Sequence, residues 1–150
     1  MEDQRIKVDS RSVEIVLEGG ARLVGELFLQ LYGVHQVGPQ RVFEVINNDE
    51  SFLPLRTEEG VKLININRII AVYTAAADEI DPLLELGEKH SVRVTTILND
   101  SHKAQIYVNL PNGHLRVKDF LNQKERFLLF HIGEKVAYFS RDKIVMVEDG

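Results

Sequence analysis

The sequence predicts a mainly β protein: two tandem, pseudo-twofold-related small barrels, each with one short inserted helix. Three observations carry this. The chain matches itself, the apolar residues of each copy alternate over most of its length, and one short stretch per copy switches to helical period. Sliding the chain by 75 positions aligns 41–72 with 116–147 without a gap, and 10 of the 32 pairs are identical, among them Arg41/Arg116, Asn47/Asn122, Phe52/Phe127 and Val61/Val136. A shift of 79 extends the match N-terminally through Val13/Val92, Leu27/Ile106 and Leu31/Leu110, so the first copy carries a longer loop, YGVHQVGPQ. The copies are residues 12–74 and 91–147, separated by a linker, 75–90. Two copies of so long a period indicate a pseudo-twofold pair; a solenoid needs three or more stacked repeats.

The elements follow in order. SVEIVLEGGARLVGELFLQL alternates on both sides of Gly19-Gly20, as two antiparallel strands joined by a tight turn do. Asn99-Asp100 holds that turn position in the second copy. In RVFEVIN and RVKDFLN, Val42, Val45 and Ile46, like Val117, Phe120 and Leu121, fall at i, i+3 and i+4, the spacing of a short helix with a buried face. Asn47 and Asn122 close these helices, where Asn readily takes the left-handed C-cap conformation. SFLPLRTEEGVKLININ and RFLLFHIGEKVAYFS read as hairpins across EEG and GEK, and RIIAVYT and KIVMVE as closing strands. Each unit is β-β-α-β-β-β. In the linker, AAADEIDPLLELGEKH, Asp81 before Pro82 is a good N-cap and Gly87 a stop, which predicts a short helix presenting Leu83, Leu84 and Leu86. Five short strands bury little alone, so the copies are expected to pack together or share strands, a single merged barrel being the alternative.

Composition bounds the function. With 44% hydrophobic and 27% charged residues the chain is an ordinary globular one. It has no cysteine, which removes disulfides, thiolate metal sites and cysteine nucleophiles. Charges fill MEDQRIKVDSRSVEIV where a signal peptide needs an apolar stretch, and no run approaches the roughly 18 apolar residues of a membrane span. A cytoplasmic protein that does not enter a membrane is the expectation.

No nucleophile elbow, glycine-rich phosphate loop or dinucleotide fingerprint is present, and no catalytic residue or cofactor is predicted. The polar pattern kept in both copies is R-x-x-[DE]-x-x-N-x-x-E: Arg41, Glu44, Asn47, Glu50 and Arg116, Asp119, Asn122, Glu125. An acid three residues after Arg pairs with it on one helix face, so the pattern reads as folding. His35 falls opposite His114, but neither has a neighbouring ligand at metal-binding spacing, and no metal site is predicted.

Charge is more informative. The first copy carries net −3, the linker −4 and the second copy +4, within −5 for the chain. Three readings follow: attraction between the halves of one molecule, head-to-tail or swapped association between molecules, or an anionic partner on the second copy. For the last, Lys103, Arg116, Lys118, Lys124 and Arg126 are the candidate nucleic-acid or anion-binding residues, interleaved with Tyr107, Phe120, Phe127 and Phe130.

The run LPNGHLRVKDFLNQKERFLLFHIGEKVAYFSRDKIVMV resembles a bacterial domain of unknown function, in which a strand leads into an R-V-x-D-x-L-N helix, then F-L-x-L and a closing strand pair. That resemblance implies no activity and no site residues. VEIVLEGGARLVGEL looks like the first motif of the Sm-like RNA-binding barrels, with Gly25 in a bent second strand. The Asp and Asn with which such barrels contact RNA have no clear counterparts after Leu29, and the closing R-G motif is absent. The resemblance implies small barrels of the SH3-like or Sm-like kind. The functional expectation is a non-enzymatic binding or adaptor module that recognises a protein through a sheet edge or the inter-barrel groove. The alternative is a nucleic-acid-binding protein that uses the basic face of the second copy.

Overall fold

The computed structural model describes residues 8–30, 40–80, 88–108 and 116–150. The first copy runs β1 (Val8–Leu17), β2 (Arg22–Gln30), α1 (Val42–Ile46), β3 (Phe52–Thr57), β4 (Gly60–Asn65) and β5 (Ile69–Ala75). The second runs β6 (Glu88–Thr96), β7 (Ser101–Val108), α2 (Arg116–Leu121), β8 (Phe127–Ile132), β9 (Lys135–Ser140) and β10 (Ile144–Asp149). The protein is thus mainly β, each copy is β-β-α-β-β-β, and equivalent elements fall at the expected offsets, with ends that agree to within one residue. The offset of 75 carries β3 onto β8, β4 onto β9, and the 3-10 turn Ile66–Arg68 onto Arg141–Lys143. Hydrogen bonds repeat with it. The Glu18 amide donates to the Arg68 carbonyl at 2.9 Å, and Ile97, 79 residues on, donates to Lys143 at 2.9 Å. Gly19 and Gly20 take positive φ in the first hairpin, and Asn99, at φ 68°, takes that role in the second.

All ten strands among the described residues form one sheet, ordered β10-β6-β7-β8-β9-β5-β1-β2-β3-β4. Within each copy the order is fifth, first, second, third, fourth. The copies join where β9, fourth of the second copy, pairs antiparallel with β5, fifth of the first, setting Ala71 opposite Phe139, Val72 opposite Tyr138 and Thr74 opposite Val136.

The sheet runs unbroken through both copies, the strand sharing expected of units this small, and it is not closed. The expected pseudo-twofold relation is corrected: a twofold axis would repeat the junction as β4 on β10, and those strands are the two ends of the sheet.

Strand sharing explains the continuity. Successive side chains of a strand point to opposite faces, so strands at the junction feed both cores. Val72, Val136 and Tyr138 lie in the core of the first copy with Val42, Ile46 and Phe127. Ala71, Ala137 and Phe139 lie in the core of the second with Val94, Ile106 and Phe130.

Gly25 marks where β2 and β3 converge, at the register pair Glu26↔Arg56. A Cβ there would run into the Arg56 carbonyl oxygen and come within 2.8 Å of Leu55 Cγ. The pair Gln105↔His131 occupies the equivalent place in the second copy.

The two helices differ. Val42 and Ile46 of α1 are buried, whereas Val45, and Val117, Phe120 and Leu121 of α2, are half-buried. Burial of the whole apolar set was expected. The reason for the difference is cover: Phe127 and Tyr138, from β8 and β9, pack over α1 in the first core. The linker helix, with Leu83, Leu84 and Leu86, lies outside the described residues, as do His35 and His114. No helix among the described residues is long and apolar enough to cross a membrane.

Candidate functional site

The junction between the copies is the most elaborated polar region. Glu79, just past the 3-10 turn that follows β5, is fully buried. Its carboxylate accepts hydrogen bonds from the Tyr138 hydroxyl at 2.5 Å and from the amides of Val42 and Phe43 at 3.0 and 3.3 Å. The Arg41 guanidinium donates to the Glu79 carbonyl at 3.1 Å and, through other nitrogens, pairs with Glu44 at 3.0 Å. One acid therefore ties the end of the first copy to its own helix and to the second copy's β9. Burial pushes the Glu79 carboxyl above its ordinary range against the pull of its three donors, and burial beside Glu79 pushes the Tyr138 hydroxyl up as well. Buried and fully partnered, the Glu79 carboxylate ties elements together and is itself closed to a ligand.

Two further contacts cross the junction. Asn47, expected to cap α1 in the left-handed conformation, instead has φ −102°. Its side chain accepts from the Phe127 amide at 2.7 Å and donates to the Phe127 carbonyl at 3.2 Å, closing a two-bond clasp on β8. Glu18 lies between the repeat-equivalent cations Arg68 and Lys143, at 2.9 and 2.7 Å, and hydrogen bonds from Lys143 and then Arg68 hold its carboxyl below the usual range. The paired Arg41 and Glu44 bear out the helix-face reading, but Glu79 and the Asn47 clasp were not anticipated. No local signal separates Glu79 from the exposed Asp78 beside it.

The open surfaces are of three kinds. A groove of about 290 Å³ lies between the copies, lined by Arg41, Phe43, Tyr107, Phe120, Leu129 and His131, with Tyr107 and His131 edge to face at 4.9 Å. Larger depressions of about 810 and 740 Å³ sit beside the β2–β3 and β7–β8 contacts. Their linings correspond through Ser12/Ser91, Gly25/Ala104 and Arg56/His131, but Val24 becomes Lys103 and Glu26 becomes Gln105. A shape repeated with changed chemistry is the geometry of parting strands. The third kind is the pair of sheet ends. Val61 and Leu63 of β4, with Phe52 of the adjoining β3, are exposed at one, and Val145 and Met146 of β10 at the other.

Four of the five candidate basic residues, Lys103, Lys118, Lys124 and Arg126, do not line a common depression. Lys103, exposed on β7, lines the second depression beside Arg93, Glu148 and Asp149, and Lys118, Lys124 and Arg126 do not. Arg116 opens α2; Lys118 on that helix and Lys124 just after it are exposed. Arg126 is half-buried and donates across the junction to the Glu50 carbonyl at 3.4 Å. Among the described residues no cluster of three or more His, Asp or Glu is placed to hold a metal ion. The chain matches no family model, no curated protein and no solved structure.

Proposed function

We propose that the protein is a non-enzymatic binding module that recognises protein by strand addition at an end of its sheet. The observation that carries this is β4: among the described residues an unpaired edge strand, on which Val61 and Leu63 are both largely exposed. Natural sheets protect such edges with charge, proline or cover, because unpaired N–H and C=O groups template further pairing. An edge that instead displays two large apolar side chains on one face has the backbone and the alternate side-chain contacts that strand addition uses. The same reading takes each half as a small unit of the SH3-like or Sm-like barrel kind, supported by its repeated strand order and its own core.

Capture with the immobilised full chain tests the reading. Protein retained by the wild type should be lost with Val61→Lys/Leu63→Lys and kept with Lys118→Glu/Lys124→Glu. Retention unchanged by the edge substitutions overturns strand addition. Nucleic acid that elutes with salt and is lost with Lys118→Glu/Lys124→Glu replaces it with the basic-face alternative.

A further inference from the structure

Resting on that reading, we infer that the partner is a second copy of this chain, and that β4 of one molecule pairs with β10 of the next in the register that joins β9 to β5 inside each molecule. The internal junction unites unlike strands, the fourth of one copy with the fifth of the other. Among the described residues each molecule therefore still holds one unused strand of each kind, β4 and β10, at opposite ends of its sheet. Head-to-tail interfaces of this sort build rings where the rotation closes and filaments where it does not.

Side chains at the two ends are what such a contact requires. Phe127, Val136 and Tyr138, which enter the first core from the second copy, are 0% exposed; their counterparts Phe52, Val61 and Leu63 are 52%, 60% and 69% exposed. On the other side of the junction Ile70 and Ala71 are each 1% exposed, and their counterparts Val145 and Met146 are 64% and 48%. Five of the eight exposed large hydrophobic residues among those described are thus equivalents of residues the internal junction buries. The helix shows the same gap: Val42 and Ile46 are covered from the second copy, while Val117 and Leu121 are half-open. Asn47 clasps Phe127, while its equivalent Asn122 turns its side-chain amide back on the Lys118 carbonyl and is exposed, beside no such strand.

Carrying the internal register over by 75 residues sets Met146 opposite Ile64, Val147 opposite Leu63, Glu148 opposite Lys62 and Asp149 opposite Val61. The internal pair in the third place is Tyr73 and Ala137; the intermolecular one is an acid and a base. Opposite charges directly across an antiparallel pair are favourable, and like charges are not. The net charges of the copies that meet, −3 and +4, are opposite in sign as well, although this pair takes its base from the first copy and its acid from the end of β10.

Sedimentation velocity on the purified full chain reads the result. Wild type should sediment above one chain mass, increasingly so with concentration. Val61→Lys/Leu63→Lys blocks one end and Val145→Lys/Met146→Lys the other, at exposed positions where circular dichroism melts should stay near wild type. Each variant alone should be monomeric, and a mixture of the two should form a 1:1 pair and nothing larger. As a second set, Lys62→Glu and Glu148→Lys should each weaken assembly roughly fivefold, and the two together in one chain should restore it. Wild type that stays monomeric overturns the inference, as do blocked variants that homodimerise through their remaining end. Monomeric wild type with capture still lost on Val61→Lys/Leu63→Lys overturns self-association alone. Capture indifferent to those substitutions overturns the edge reading as well.

Discussion

Replacing Glu79 probes the contact on which the joining of the two copies most depends. Glu79→Ala removes the acceptor of the Tyr138 hydroxyl and of the Val42 and Phe43 amides, the first and second residues of α1. Removing one partner of a buried, charge-assisted network costs about 3–5 kcal/mol, because the remaining donors stay buried without acceptors. Glu79→Gln keeps the shape but turns one acceptor into a donor facing donors, so about 1–3 kcal/mol is expected. The pH dependence has a definite sign. Burial raises the folded-state pKa above the ordinary 4.5, so the folded state favours the protonated acid. The stability this group contributes is then fully present below 4.5 and falls as pH rises through the folded value, by about 1.4 kcal/mol per unit of elevation. Urea denaturation followed by far-ultraviolet circular dichroism, at intervals from pH 4 to about 8, should show wild type exceeding Glu79→Gln most at the acid end. A gap that widens with pH, or a Gln variant as stable as wild type throughout, would refute the reasoning.

Three other perturbations separate the junction from its repeat-equivalent surroundings. Asn47→Ala should cost about 1–2 kcal/mol by leaving the Phe127 amide and carbonyl without partners, whereas Asn122→Ala, on an exposed side chain, should stay within about 0.5 kcal/mol; equal effects in thermal melts would deny the clasp. The Glu18 carboxyl, held low by Lys143 and Arg68, lends stability above 4.5 that is lost as pH falls through its folded value, and Lys143→Ala should move its carboxyl NMR titration back toward 4.5. Gly25→Ala should destabilise by about 1–3 kcal/mol through overlap with the Arg56 carbonyl and Leu55, while Ala104→Gly, the reverse change at the equivalent site, should not relieve any strain; a Gly25→Ala melt matching wild type would mean that β3 can retreat.

Much of the fold was legible because its determinants are local. Alternation fixed the strands, the i, i+3, i+4 spacing fixed the helices, Gly-Gly and Asn-Asp fixed the first turn of each copy, and the offsets of 75 and 79 placed equivalent elements to within a residue. The candidate site was far less legible. The five basic residues were chosen for charge, yet Lys103 lies beside Glu148 and Asp149 in a depression that Lys118, Lys124 and Arg126 do not line, and Arg126 donates across the junction. Glu79 went unnoticed because a buried acid differs from a solvated one only in its surroundings, which here arrive from α1 and from β9, 59 residues away.

By itself the sequence determined what each copy is: five strands and a helix, written twice, with the charge of the two halves opposed. The tertiary structure alone decided how the copies meet. Strand edges present the same N–H and C=O groups whatever their side chains, so no local pattern says which edge of one copy will take which edge of the other. Phe52 and Phe127 show the consequence: the same residue at the same repeat position, one exposed and the other in the core of the opposite copy. Burial at that position depends on which strand lies alongside, and the head-to-tail order supplies a neighbour at the junction and leaves the two ends of the sheet without one.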